Sequence, residues 1–149
     1  MPLDVVVASL VGSSYYVSAF AHALSAVDDV STVRVVVPSH SNELETLDAS
    51  RVDLRTVDVP NDVAGTLLAT LNPAVLSEFV RLVEGADVVH VVNEIRFPFT
   101  YLGVIRRASS APVVLTVHEP DPYMPTLLRR TVLNPLQRAN LRLLGRFAD

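Results

Sequence analysis

A doubly wound α/β fold, a parallel sheet covered by helices on both faces, is what this 149-residue sequence predicts, and three observations carry the prediction. Five short apolar runs, mostly valine, recur along the chain, and four of them lack the polar alternation of a half-wet strand. Strands of that kind are buried on both faces. Between the runs stand segments with helical spacing and helical end signals. Strand alternating with helix gives right-handed βαβ units and hence parallel pairing. A chain of this size fits one domain and buries roughly 70% of its surface on folding.

The first run is "DVVVASL" (4–10), and valine, β-branched and stiff at χ1, suits a pleated strand. "SSYYVSAFAHALSAV" (13–27) follows as a helix, with Ser13 or Ser14 available as N-cap. "TVRVVVPS" (32–39) is the second strand, and the segment 40–51 after it is the least regular part of the chain. In the third run, "VDLRTVDVP" (52–60), polar residues separate Val52 from Leu54 and Val57 from Val59, so it is expected at a sheet edge. "NPAVLSEFVRLVEG" (72–85) carries Asn72 as cap, Pro73 at the first helical position and Gly85 just past the end. Its Leu76, Phe79, Val80 and Val83 share one face. "DVVHVVN" (87–93) is the fourth strand, "FPFTYLGVIRRAS" (97–109) a helix opening on Pro98, and "PVVLTV" (112–117) the fifth strand. Residues 124–147 have a helical pattern that Pro135 breaks or kinks near Asn134. The chain then ends where such a domain would enter another strand, so the natural polypeptide is expected to continue past Asp149.

Composition narrows the function classes. Half the residues are hydrophobic and 19% are charged, as in a globular protein. With no cysteine there is no disulfide framework, thiolate metal site or cysteine nucleophile, which is compatible with a reducing cytoplasm. The start "MPLDVVVASLVG" lacks a basic n-region and reads as a strand, and no apolar run nears the roughly 20 residues of a membrane helix. All 12 basic residues are arginine. The last 27 residues hold five arginines against Asp149 alone, while the first 122 hold seven against fifteen acids. A basic, leucine-rich terminal segment suggests either a helix packed on the sheet or peripheral contact with anionic lipid at the inner face of a membrane. No nucleic-acid partner is expected.

Ligands of open parallel sheets bind beyond the carboxyl ends of the strands, where the strand order reverses. With the order 3-2-1-4-5 that crevice lies between the first and fourth strands. Gly12, Ser13, Asn93, Glu94, His118 and Glu119 would ring it. The turn at Gly12 and Ser13 reads equally as an ordinary strand-to-helix turn or as an anion cradle at a helix start. His118, at the point where the fifth strand surfaces, can bond a hydroxyl-rich ligand or exchange a proton near neutral pH, and Glu119 can orient it. His90, in mid-strand, is expected to be a satisfied interior histidine. The four histidines have no ligand spacing, so no metal site and no cofactor are expected. Neither the dinucleotide G-x-G-x-x-G nor the phosphate-loop motif is present, which weakens the oxidoreductase and phosphotransferase readings.

From Leu3 to Asp149 the chain resembles the amino-terminal half of a GT-B fold glycosyltransferase, family 4 in particular. The likeness rests on "VVVASLVGSS", on "GADVVHVVN", and most on "APVVLTVHEPDP" followed by an arginine- and leucine-rich helix ending in "RFAD". The resemblance implies a Rossmann-like acceptor-side domain of a retaining enzyme, which takes a sugar from a nucleotide-sugar donor to a hydroxylated acceptor. The donor would be held by a carboxy-terminal domain absent from this chain, so the chain alone is expected to be inactive. It implies that His118 and Glu119 lie by the reacting sugar and Gly12 and Ser13 by the donor phosphates, in a cytoplasmic enzyme. Two departures stand out: one glycine instead of two in the first loop, and Val91 and Val92 after His90 where many members read H-x-H. The alternative from another class is a non-catalytic flavodoxin-like binding module.

Overall fold

A computed structural model describes residues 1–9, 14–41, 51–62, 65, 68, 69, 71–92, 100–116, 139, 142 and 146 of the chain. In chain order its elements are β1 (Leu3–Ala8), α1 (Ser14–Ser25), β2 (Val30–Pro38), β3 (Val52–Val57), α2 (Pro73–Val83), β4 (Val88–Val92), α3 (Thr100–Ala108) and β5 (Val113–Thr116). All five apolar runs are strands. They form one five-stranded sheet of order β3-β2-β1-β4-β5, every pairing parallel. This is the Rossmann-like doubly wound arrangement expected from the sequence, with the polar-interrupted third run at an edge.

Strand alternation sorts the side chains onto two faces. Val5 and Val7 of β1 and Val33, Val35 and Val37 of β2 meet Val17 and Ala21 of α1. Val6 and Ala8, with Val36, Val89, Val91 and Val113, meet Phe79 and Val83 of α2 and Ile105 of α3. A right-handed crossover to the left of β1 and one to the right require helices on opposite faces, and the two cores show that division. Sixteen of the twenty-two buried apolar side chains among the described residues are valine. Val5, Val7 and Val92 pack where an alternating strand would present polar groups, which is why the runs look continuous.

α2 is delimited as its sequence indicates. Asn72 Oδ1 accepts from the Ala74 amide at 2.9 Å, Pro73 begins the helix, and Gly85 takes a left-handed φ of +76° after it. Arg34 of β2 closes the same helix from outside. Its Nη1 donates to Leu82 O at 2.7 Å and Glu84 O at 3.3 Å, and its Nε lies 3.6 Å from Asp53, its neighbour on β3. At the amino end of the sheet Asp87 pairs reciprocally with Asp4: the Asp4 amide donates to Asp87 Oδ2 and the Asp87 amide to Asp4 O, each at 2.8 Å.

The fifth strand departs from the expectation of burial on both faces. Val113 is buried while Val114 is 41% exposed. β5 is an edge strand, and α1 packs over β1 and β2, two strands away. The expected start of the third helix at Pro98, the irregular segment from 42 to 50, and the terminal helix apart from three positions lie outside the described residues. Of those three, Ala139 and Arg142 are helical, Arg146 is in a turn, and all are exposed.

Candidate site at the strand tips

β1 leads leftward to β2, whereas the chain returns from β3 across the sheet to β4, so the order reverses between β1 and β4. Register pairs Val7 with His90 and Ala8 with Val91 across that boundary. The helices that follow the two strands, α1 and α3, pack on opposite faces of the sheet, and in such a topology ligands bind beyond the strand ends at the reversal. The strand order, and with it the reversal between β1 and β4, is the one expected from the sequence.

Side chains for the crevice come from the tips. Ser9 follows β1, and its amide donates to Val36 O at 2.9 Å, extending the β1–β2 ladder by one step. Alternation puts Ser9 on the α1 face with Val5 and Val7. α1, twelve residues long, begins at the same edge of the sheet, so the positive end of its dipole faces the tips. At the end of β2 the Ser39 amide bonds Val57 O at 2.9 Å and the Ser41 amide bonds Pro38 O at 3.0 Å, forming a tight turn that leaves His40 half-buried. On the far side, Val92 ends β4 and Thr116 ends β5, paired in register.

Two groups at this edge were missed from sequence. Ser9 is fully buried and Ser41 is 7% exposed, and neither Oγ has a hydrogen-bond partner. A buried hydroxyl left unsatisfied costs about 1–3 kcal/mol. The signal was available for Ser9, because a serine in phase with the buried face of "VVVAS" cannot point to water. Ser41 gave none, since its burial depends on the turn.

His90 is the interior histidine the sequence suggested. Its Nε2 lies 2.7 Å from Thr116 Oγ1, and its ring meets the edge of Phe20 at 4.7 Å between centroids. It thereby ties β4, β5 and α1 together beneath the crevice. His22 lies exposed on α1. The six residues expected to ring the crevice, Gly12, Ser13, Asn93, Glu94, His118 and Glu119, lie outside the described residues. In sequence Asn93 follows Val92 directly, His118 comes two residues after Thr116, and Gly12 three after Ser9. Among the described residues no group of three or more His, Asp or Glu side chains is placed to hold a metal ion, and no helix is long and apolar enough to cross a membrane.

A family model described as a glycosyl transferase 4-like domain matches residues 11–149. No curated protein and no solved structure matches the chain significantly. The match covers all but the first ten residues and takes in each of the expected site positions, Gly12 through Glu119.

Proposed function

The chain belongs to the glycosyl transferase 4-like domain family, and from that premise we propose that it is the acceptor-binding, amino-terminal domain of a retaining glycosyltransferase. The carrying observation is the agreement of the family match with a sheet whose order reverses between β1 and β4, the place where such a domain offers its ligand cleft. The donor is a nucleotide sugar held by a second, carboxy-terminal domain, and the acceptor is a hydroxylated molecule held by this one.

The chemistry assigned to this chain is orientation and charge stabilisation. Gly12 and Ser13, at the turn into α1, present backbone amides and a positive helix end to the leaving diphosphate. His118, released from β5 just past Thr116, binds sugar and acceptor hydroxyls, and Glu119 beside it fixes the imidazole or shares the ligand. Asn93 and Glu94, after β4, contact the acceptor from the other wall. Holding two reactants in a fixed mutual orientation accounts for much of the barrier reduction in such a transfer. The enzyme works in the cytoplasm, and the arginine-rich segment 124–147 brings it to the inner face of the membrane.

The test is release of nucleoside diphosphate from nucleotide sugars. The polypeptide that includes the donor domain turns over, residues 1–149 alone do not, and His118→Ala lowers kcat by about a hundredfold. Turnover by residues 1–149 alone, or an unchanged kcat in the His118 variant, refutes the proposal.

A further inference from the structure

His90 is the one polar residue of β4, whose other four members are valine. It stands on the α1 face of the sheet, between Val88 and Val92, which pack in the core on that side. A valine there would continue the packing with no polar group to desolvate, so the imidazole answers another need.

Its contacts indicate which. Nε2 lies 2.7 Å from Thr116 Oγ1, a hydrogen bond whichever of the two atoms holds the proton. The ring meets Phe20 of α1 at 82° between planes and 4.7 Å between centroids, the edge-to-face geometry that aromatic pairs prefer. Thr116 is not the residue opposite: register pairs His90 with Val114, and Val92 with Thr116. The side chain therefore reaches diagonally along the sheet to the last residue of β5. That strand has four residues and a neighbour on one side only, and its α1 face is open at Val114, 41% exposed. The end of such a strand frays when its backbone ladder alone holds it.

The two elements that meet at His90 are those that supply the proposed chemistry. Gly12 and Ser13 directly precede α1, and chain reach keeps the Cα of His118 within about 7 Å of that of Thr116. We propose that His90 is a positioning residue for the transfer. Through Phe20 and Thr116 it holds α1 and the end of β5 in one fixed relation, and with them the turn at Gly12 and Ser13 against His118. This rests on the transferase reading above. His90 acts through these neighbours and not on the reactants. A misplacement of about 1 Å in such an arrangement costs up to about a hundredfold in rate, so the effect belongs in kcat.

The experiment measures nucleoside diphosphate release by the polypeptide that includes the donor domain, with Thr116→Val, Thr116→Ser, His90→Leu and the double variant His90→Leu/Thr116→Val. Valine has threonine's shape without its hydroxyl, whereas serine keeps the hydroxyl. Thr116→Val is expected to lower kcat about tenfold and leave KM little changed. Amide exchange at Leu115 and Thr116 should quicken about fivefold, the size of one neutral hydrogen bond. Thr116→Ser should keep kcat near that of wild type. The double variant should lose less than the product of the two single losses, because both singles delete the same bond. An unchanged kcat in Thr116→Val, whatever happens to Tm, assigns the bond to stability alone and overturns the proposal, while the transferase reading stands on wild-type turnover. Losses that multiply, or a change confined to KM, overturn it as well. If the wild type releases no diphosphate, the proposal falls together with the reading it rests on.

Discussion

Replacing Arg34 with methionine isolates what one charge does inside an otherwise apolar strand. The Arg34 side chain is 27% exposed, and its guanidinium donates at 2.7 Å to Leu82 O and at 3.3 Å to Glu84 O and stands 3.6 Å from Asp53. Methionine keeps most of the aliphatic stem packed, so the loss is that of the charge and its donors. The short bond is charge-assisted and half-buried, worth about 1.5–2 kcal/mol, while the longer one is exposed and adds a few tenths, about 0.3 kcal/mol. A cation at a helix carboxyl end contributes about 0.3–1 kcal/mol and a near-surface ion pair about 0.2–1 kcal/mol. Asp53 is not orphaned by the change, because Arg55 Nε remains 2.9 Å away. These overlapping contributions give about 2–3 kcal/mol, which for a chain of this length lowers Tm by about 4–12 °C. Urea unfolding with the m-value monitored measures it. Arg55→Met is the control: its side chain is 55% exposed and bonded within its own strand, so the loss stays under about 0.5 kcal/mol. Equal effects for the two variants, or less than about 0.5 kcal/mol for Arg34→Met, would refute the view that Arg34 holds the end of α2.

Phe79 is fully buried against both α3 and the sheet, and Phe79→Ala is expected to cost about 3–5 kcal/mol by denaturant unfolding. Gly85→Ala places a Cβ that meets nothing within 4 Å, so its cost of about 1 kcal/mol is backbone strain alone at φ +76°. If Gly85→Ala is neutral in thermal unfolding, the left-handed turn is not held in solution. Liposome co-sedimentation checks the segment 124–147: anionic vesicles retain the protein and neutral ones do not, and equal retention ends the lipid reading.

The architecture was legible because its determinants are local or periodic. Valine runs announced the strands, the interrupted run 52–60 announced an edge, and Asn72, Pro73 and Gly85 marked the limits of α2 within a few residues of their own positions. Long-range determinants left no mark. The partner carbonyls of Arg34 lie 48 and 50 residues downstream, so the sequence showed a charge in a strand without its reason. Burial of Val114 was overestimated, because a run of apolar residues does not say whether a helix reaches the last strand. The reversal of strand order followed from the strand–helix alternation, whereas Ser9 was overlooked although it is in phase with the buried face of the first run, and the burial of Ser41 depends on a turn that the sequence does not announce. The six expected site residues lie outside the described residues, and their roles are carried by the proposal.

A scaffold whose interior is so dominated by one small, branched side chain has few ways to rearrange. Each valine turns about a single torsion and cannot reach into a neighbour's space as leucine or methionine would. Repacking around an enlarged residue must then shift whole strands, so tolerance to bulk in this interior is low. The benefit appears at the rim: loops anchored on so stiff a platform inherit its fixed spacing, and evolution can vary their chemistry without disturbing where they start.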